Sequence, residues 1–360
     1  MSSKAARTLL SRQRHFIKFL ASVNLANNVA LSGFSTLTHN AIMACFAATL
    51  ASGQTILCKS IRADTINKYL SAAVSLSRPF HEMNPLINIM GEKSQLVKDI
   101  IHETRRWESM PNRREPMTKD MVQYLIKTSA SSTLPDGKQS VMRDWLVLGL
   151  QAGFRKMEWS QDATLLAQTN THHRNLDGSS AAFVSSDFEF RGPNGIRMSH
   201  KKPLLLHNIE TVHIKWRYQK NLDNGQTIPF AKDTICPDFC CMAAALRIWH
   251  RALKLNIDPA TPLAVFVDSN SSTPQFITNV HVTQLLKEAA TAAHNITRKV
   301  DLARFTAHSI RVGACVLLHS QGATAELIKL RLRWRSDAFM FYLRNITALA
   351  EHHRDILRNV

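Results

Sequence analysis

The sequence predicts a mainly α-helical protein with a small β-sheet, an α+β chain that is long enough for two domains. Glycine supplies only 12 of the 360 residues, well below its usual share of roughly 7%. Most of the chain shows apolar residues at three- and four-residue spacing, which is the period of an amphipathic helix. Residues 183–230 instead carry short alternating segments separated by turn residues, as hairpins do.

The charge balance is strongly basic. Lys and Arg number 45 against 27 Asp and Glu, which leaves a formal charge of +18 and a pI near 10.0. Such a surplus indicates a polyanionic partner, of which nucleic acid is the commonest. An anionic membrane surface is the weaker alternative, because no strongly amphipathic basic helix stands out and no apolar run approaches the ~18 residues of a membrane span.

Residues 1–108 predict an all-helical bundle, with periodic apolar patterns at 15–23, 37–51, 63–77 and 95–108. The first acidic residue is Asp64. An acid-free start is typical of an organelle transit peptide or of the phosphate-facing surface of a DNA-binding domain. The second is favoured because the acid-free region continues through the predicted helices. The candidate phosphate-binding residues here are Arg7, Arg12, Arg14, Lys18, Lys59 and Arg62.

Residues 109–117 contain two prolines and no apolar period, which predicts an exposed linker between domains 1–108 and 118–360. The linker adds Arg113 and Arg114 to the candidate DNA-binding residues. Beyond it, apolar periods predict helices at 119–128, 140–153, 237–255 and 282–293.

Arg155 and Glu158 follow directly after the strongly apolar helix predicted at 140–153. At three-residue spacing the carboxylate can hold the guanidinium in place. An ordinary surface ion pair is the default for such spacing. The position favours a functional role, because charge is otherwise unwelcome at the end of a buried helix.

Two β-hairpins are predicted between the helical regions, one from 187–191 and 196–199 and one from 211–219 and 226–230. Lys220 follows the third of these segments and adjoins the turn, where a long amine can swing into a groove. Lys215 competes for the same role but lies mid-strand. For an isolated hairpin, a solvated turn lysine would be the simpler interpretation.

The stretch 305–345 gathers reactive side chains in one predicted helical corner. Thr306 is the expected N-cap and Gly322 the expected stop of a first helix, followed by helices at 323–335 and 338–344. A His, two possible Arg positions, an indole and a phenol in one corner would suit an acidic ligand with a reactive bond, such as a phosphodiester. The residues singled out are His308, Arg311, Trp334 and Tyr342.

The spacing of His308 and Arg311 puts both side chains on one helix face. H-x-x-R alone occurs by chance on many helices, so the interpretation depends on the whole set. The six cysteines show no disulfide framework, and the group Cys236, Cys240, Cys241 and His250 lacks the paired C-x-x-C of zinc sites. We therefore expect reduced thiols in an intracellular protein and no metal.

Taken in this order, the motifs resemble the tyrosine recombinase (phage integrase) family over residues 117–345. An Arg in G-F-R-K-M-E, a Lys on a hairpin, an H-x-x-R, a His or Trp, and a helix-borne Tyr follow the family's sequence of motifs. The sequence L-R-W-R-S-D-A-F-M-F-Y-L-R-N is most similar to that of recombinases of eukaryotic Crypton-type mobile elements. The N-terminal bundle resembles the family's core-binding domain more loosely.

The resemblance implies roles for these residues. Tyr342 would attack a DNA phosphorus and form a 3′-phosphotyrosine link, which stores the bond energy so that no cofactor is needed. Arg155 and Arg311 would clamp the non-bridging oxygens. Lys220 would protonate the leaving oxygen, and His308 would take the nucleophile's proton or bind the phosphate.

Trp334 stands where many members of the family have His. An indole can donate one hydrogen bond but cannot accept a proton. Acid–base work would therefore fall to His308 and Lys220, with Glu158 in a supporting role.

The resemblance also implies double-stranded DNA as partner and a tetramer on two paired duplexes. The segment after the tyrosine, a predicted amphipathic helix at 346–357, would dock on a neighbouring copy or fold back on its own domain. The compartment would be the nucleus if the source is eukaryotic. Two alternatives stay open: a DNA-binding descendant that no longer cuts, and an enzyme similar to type IB topoisomerases.

Overall fold

The protein is described by a computed structural model, which divides into two compact units, Met1–Pro111 (unit 1) and Asn112–Val360 (unit 2). The described residues are 3–54, 60–78, 84–109, 113–130, 134–169, 171–175, 177–199, 204–219, 224–268 and 271–343, with 354 and 358. None of the described helices is both long and apolar enough to cross a bilayer.

The described residues of unit 1 form four helices, which confirms the predicted bundle. Helix α1 packs on α3, and α2 packs on both α3 and α4. Their apolar faces enclose one core in which Phe16 meets Phe46 at 5.1 Å between ring centroids. The helices are α1 (Ser3–Ser22), α2 (Thr36–Ser52), α3 (Ala63–Ser77) and α4 (Gln95–Trp107).

Helix α1 begins well before the predicted position 15. Its first turns are mostly polar, so they show little apolar period. The Ser35 hydroxyl accepts the N–H of Thr38 at the start of α2, and Gly53 ends that helix with φ +77°. Both are the usual signals for helix ends.

Unit 2 is built around α6, which α5, α9 and α12 contact. Almost every residue of α6 is buried, and its Trp145 stacks on Trp159 with ring centroids 5.4 Å apart. The helices of unit 2 are α5 (Lys119–Ala130), α6 (Lys138–Ala152), α7 (Lys156–Trp159), α8 (Ala163–Thr169), α9 (Cys241–Lys254), α10 (Asn279–His294), α11 (Lys299–Leu302), α12 (Ser309–Ser320), α13 (Ala325–Leu332) and α14 (Met340–Leu343).

Two small antiparallel sheets complete unit 2, so the predicted mainly α fold with a small β component is confirmed. Strands β1 (Phe188–Arg191), β2 (Thr211–Trp216) and β3 (Gln226–Ala231) form one sheet in that order. Strands β4 (Val265–Asp268) and β5 (Ser271–Phe276) form the other.

The hairpin predicted from 211–219 and 226–230 is confirmed as β2 and β3, with Trp216 opposite Gln226. The hairpin predicted from 187–191 and 196–199 is present as a short pairing, in which Arg191 forms a bridge with Arg197 and the Met198 N–H donates to the Phe190 carbonyl at 2.9 Å. Strand β1 also pairs along its whole length with β2, which the sequence did not predict.

The linker predicted at 109–117 is exposed only in part. Met117 is 1% exposed and belongs to the core of unit 2. Its N–H donates to the carbonyl of Ser309 at 2.9 Å. The candidate residues Lys59 and Lys220 lie outside the described residues. So does the helix predicted at 346–357, apart from residue 354.

Candidate active site

The site begins where α6 ends. Gly153 ends the helix with φ +57°, a conformation that favours glycine, and a Cβ there would lie 2.5 Å from Leu332 Cδ2. The chain then turns into Arg155, the residue before α7. Gly153 thus lets the buried helix approach α13 closely and brings Arg155 to the same place.

Glu158 is the buried anchor of the site. Its Oε1 accepts from Arg155 NH1 at 3.0 Å, and its Oε2 accepts the backbone N–H of Arg155 at 2.9 Å. Trp216 on β2 donates its indole N–H to Oε2 at 3.2 Å. Burial by itself would raise the pKa of Glu158, but the charges of Arg333 and then Arg155 outweigh it and hold the pKa below its ordinary value.

Arg311 on α12 is 3% exposed. Its NH1 donates to the Gly153 carbonyl at 2.7 Å and its NH2 to the Leu332 carbonyl. It forms no ion pair with any described carboxylate. Burial, with Arg333 and Arg155 nearby, lowers the pKa of Arg311 to about 9. The charge of Glu158 opposes this lowering without outweighing it, so Arg311 is a buried cation that an incoming anion would stabilise.

Arg333 is a third guanidinium in the same cluster and was not among the predicted site residues. It donates from NH2 to Glu158 Oε2 at 3.0 Å and lies 4.0 Å from the Trp216 ring centroid. The predicted helix 323–335 ends early because Arg333 takes φ +58°, and Trp334 N–H closes the turn onto the Lys329 carbonyl at 2.9 Å. The feature of the sequence that could have indicated Arg333 is its position as a basic residue between two apolar ones, Leu332 and Trp334.

His308 and Tyr342 meet directly. His308 precedes α12, and its Nε2 lies 2.9 Å from the Tyr342 hydroxyl on α14. The predicted cap Thr306 does not begin the helix, but its hydroxyl accepts the His308 N–H at 3.3 Å. Burial lowers the pKa of His308, helped by Arg311 and Arg114, so the ring is neutral near pH 7.

Burial raises the pKa of Tyr342, partly offset by Arg311. The phenol is therefore protonated near neutral pH. A neutral imidazole beside it can accept the phenolic proton, since the ring nitrogen that carries no hydrogen is an acceptor.

Trp334 links the phenol to the arginines. Its ring stacks on Tyr342 with centroids 5.4 Å apart and on Phe339 at 5.6 Å. The Arg311 guanidinium lies 4.8 Å from its ring centroid on a cation–π contact. The indole therefore fixes the distance between the phenol and the buried cation.

Of the two candidate lysines, only Lys215 is described. It is exposed on β2, whereas its neighbour Trp216 is buried on the opposite face and contacts Glu158. Lys215 therefore points away from the cluster. Lys220 follows Gln219 in the sequence and lies outside the described residues. On either side of that gap, the Gln219 N–H donates to Asn224 Oδ1 at 2.7 Å.

The other candidate DNA-binding residues differ in their surroundings. Arg7, Arg14 and Lys18 are exposed on α1 at spacings that share one face. Arg12 instead lies 5.8 Å from the Tyr69 ring centroid. Arg62 is engaged within unit 1, with Glu108 at 3.5 Å.

Arg113 and Arg114 also donate to the protein itself, at the carbonyls of Phe341 and Ala303, both at 2.8 Å. The structure thus brings together Arg155, Glu158, His308, Arg311, Trp334 and Tyr342, and adds Arg333. Among the described residues, no group of three His, Cys, Asp or Glu side chains is arranged to hold a metal ion.

No protein-family model matches the chain, and no curated protein matches its sequence. Among solved structures, the chain is similar to the Tn1549 transposon integrase in complex with transposon right end DNA, at 12% identity over 89% of this chain and 84% of that chain, with a TM-score of 0.42. It is also similar to a lambda integrase dimer bound to a COC′ core site, at 12% identity over 96% and 90%, with a TM-score of 0.46. These structural neighbours are tyrosine recombinases, the family that the sequence motifs resemble. At such identities the likeness does not bear on individual residues.

Proposed function

We propose that this chain is a site-specific DNA recombinase or integrase that cuts and rejoins DNA through a 3′-phosphotyrosine link. One observation supports the proposal most directly. The Tyr342 hydroxyl lies 2.9 Å from His308 Nε2 and stacks on the same indole that carries the Arg311 guanidinium. A nucleophile, a proton acceptor and a buried cation thus meet at one point.

In the proposed cleavage step, the phenolic oxygen of Tyr342 attacks the scissile phosphorus and its proton passes to His308. The bond from phosphorus to the 5′ oxygen breaks, and that oxygen takes a proton to become a free 5′-hydroxyl. The 3′ phosphate stays esterified to tyrosine. Rejoining is the reverse attack by a 5′-hydroxyl, so the bond count is unchanged and no external energy source is required.

The negative charge that develops on the phosphoryl oxygens would be met by Arg311 and Arg155. Both guanidiniums are already held in place, Arg311 by two backbone carbonyls and Arg155 by Glu158. Preorganised donors of this kind stabilise a transition state without reorganising during the reaction. Arg333 would contribute charge while orienting Glu158.

The proton for the leaving oxygen is assigned to Lys220. The exposed position of Lys215 on the far face of β2 favours this choice. The loop between β2 and β3 follows directly after Trp216, whose indole contacts Glu158. A Lys220→Ala variant should therefore be rescued by a 5′ leaving group of low pKa, whereas Lys215→Ala should need no rescue.

The exposed basic face of α1, with Arg7, Arg14 and Lys18, is proposed to contact DNA phosphates. Binding should weaken steeply as salt rises, because each neutralised phosphate releases counterions. A flat salt titration would contradict this part of the proposal.

The chain is also proposed to act as a tetramer on two paired duplexes, with residues 346–360 docking on a neighbouring copy. Deleting those residues should reduce the multi-subunit complexes in a gel shift more than binding to a single site. Complexes of unchanged order after the deletion would contradict the assembly.

The central experiment traps a covalent protein–DNA adduct on a nicked suicide duplex, from which the cut strand end diffuses away. Wild type should form the adduct, and Tyr342→Phe should form none. Tyr218→Phe is the matched control, since that phenol bonds to Asp177 at 2.8 Å and not to His308. An adduct in Tyr342→Phe would overturn the assignment. Relaxation of supercoiled plasmid by a monomer would instead indicate topoisomerase-like chemistry.

A further inference from the structure

The segment 113–117, called the strap below, is fixed to the helices that carry the candidate site. The N–H of Glu115 donates to the Arg304 carbonyl at 3.2 Å. Arg304 returns a bond from Nε to the Arg113 carbonyl at 3.0 Å and forms an ion pair with Glu115. Hydrogen bonds to the backbone and an ion pair therefore join the strap to Arg304, which lies shortly before α12.

The strap also touches α12 itself. A Cβ on Gly313 would lie 2.1 Å from the carbonyl oxygen of Met117. The close contact is possible only because glycine has no side chain at this position. The end of the strap is therefore fixed against the same helix that carries Arg311.

The other end of the strap reaches the helix that carries Tyr342. Arg113 NH1 donates to the backbone carbonyl of Phe341 at 2.8 Å. Helix α14 is a single turn, and its Met340 and Phe341 side chains are 43% and 55% exposed. This charge-assisted hydrogen bond adds to the contacts of Tyr342 with His308 and Trp334 in holding so short an element.

We propose that Arg113 is a positioning residue for Tyr342, so that the placement of the phenol depends on the strap. The inference rests on the proposed role of Tyr342 as nucleophile. Phe341 directly precedes that tyrosine, so a shift of its carbonyl displaces the phenolic oxygen relative to His308. Displacements of about 1 Å can cost on the order of a hundredfold in rate.

The competing role for Arg113 is the one its sequence context suggests, a contact to a DNA phosphate. The two roles differ in what is lost on substitution. Loss of a phosphate contact would lower the affinity for DNA. Loss of a positioning contact would disorder α14 and slow the chemical step.

The first measurement compares hydrogen–deuterium exchange of the full chain in Arg113→Met and Arg114→Met. Both variants lose one guanidinium and one bond to a backbone carbonyl, but Arg114 bonds to Ala303, outside α14. Exchange in a peptide spanning residues 338–343 should rise at least about threefold in Arg113→Met only. Equal exchange in the two variants would overturn the proposal.

The second measurement is the single-turnover rate of adduct formation at saturating suicide duplex. Arg113→Met should lower it about tenfold, with a loss of DNA affinity no larger than in Arg114→Met. Arg113→Lys should restore much of the rate, because an ammonium can still donate to the carbonyl. A loss of affinity alone, with unchanged exchange, would assign Arg113 to DNA and overturn the proposal.

Failure of the proposed function gives a different pattern. If wild type forms no adduct, the nucleophile is wrongly assigned, but the exchange comparison still decides whether Arg113 orders α14.

Discussion

The described part of unit 2 holds two buried clusters in which three arginines surround one carboxylate, and the pairing of the charges differs between them. At Asp144 every guanidinium has an ion pair with that carboxylate, from Arg143, Arg247 and Arg251 at 2.8–2.9 Å. At Glu158 two guanidiniums are paired in this way, and Arg311 donates to backbone carbonyls only.

The difference teaches how to distinguish a structural cluster from a reactive one. The side chains of Arg143 and Arg247 also reach solvent, with 20% and 39% exposure. Arg311 has neither solvent nor a described carboxylate, and it lies in contact with the ring beside Tyr342. Its bonds to backbone carbonyls and the charge of Glu158 offset its desolvation only in part, so an incoming anion would stabilise it further.

The largest effect is expected from exchanging arginine for lysine in each cluster. Arg311→Lys should lower the rate of adduct formation about a thousandfold, because an ammonium cannot hold two phosphoryl oxygens in a planar fork. Arg247→Lys should leave the rate unchanged. Single-turnover cleavage measures both, and equal losses would show that the two clusters do not differ in function.

The two carboxylates should matter equally for folding but not for chemistry. Glu158→Gln and Asp144→Asn should each lower the free energy of unfolding by about 3 kcal/mol, since each leaves buried guanidiniums without a counter-ion. Only Glu158→Gln should also reduce cleavage. Urea unfolding and the adduct assay test the two parts, and full cleavage by Glu158→Gln would contradict the proposed support of Arg155.

The lowered pKa of Glu158 also predicts how the stability of the folded protein changes with pH. The folded state favours its charged form, so its contribution to stability is present above the unfolded pKa near 4.5 and is lost as the pH falls through the lower folded value. Glu158→Gln should remove this part of the acid sensitivity. An unchanged stability profile would indicate that other carboxylates dominate.

An inorganic anion such as phosphate should bind at Arg311. Phosphate should raise the melting temperature of wild type by about 2–4 °C for each kcal/mol by which its binding stabilises the folded state. The rise should vanish in Arg311→Lys and persist in Arg247→Lys at equal ionic strength, which differential scanning calorimetry can measure. A rise of equal size in both variants would locate phosphate elsewhere.

The smallest effect concerns the proton acceptor. Burial, Arg311 and Arg114 lower the pKa of His308 from its ordinary 6.5, so adduct formation should stay active somewhat below that pH and fall as the ring is protonated. Arg114→Gln removes one of the neighbouring charges and should move this acid limb to higher pH. A limb that moves to lower pH, or stays in place, would mean that another group controls it.

Much of the fold follows from local pattern. The helices of unit 1 and the hairpin of β2 and β3 could be predicted because apolar spacing and turn residues are local signals. The pairing of β1 could not, because its partner β2 is chosen by burial of apolar faces that the chain brings together only on folding.

The candidate site was predictable in its residues but not in its geometry. The motifs pointed to His308, Arg311 and Tyr342, yet Arg333 was hidden because its role depends on a left-handed backbone and on Glu158, both tertiary features. Arg113 was taken for a linker residue because two prolines and the lack of an apolar period conceal hydrogen bonds made across the chain.

The stacked pair of Trp334 and Tyr342 has an optical consequence. The Trp334 indole lies 5.4 Å from the phenol, centroid to centroid, so its emission should respond to a change in that ring. In the proposed cleavage step the phenolic proton passes to His308 and the oxygen bonds to phosphorus, which should shift the ring on the indole. Stopped-flow fluorescence of the native chain could therefore follow strand cutting without any attached dye.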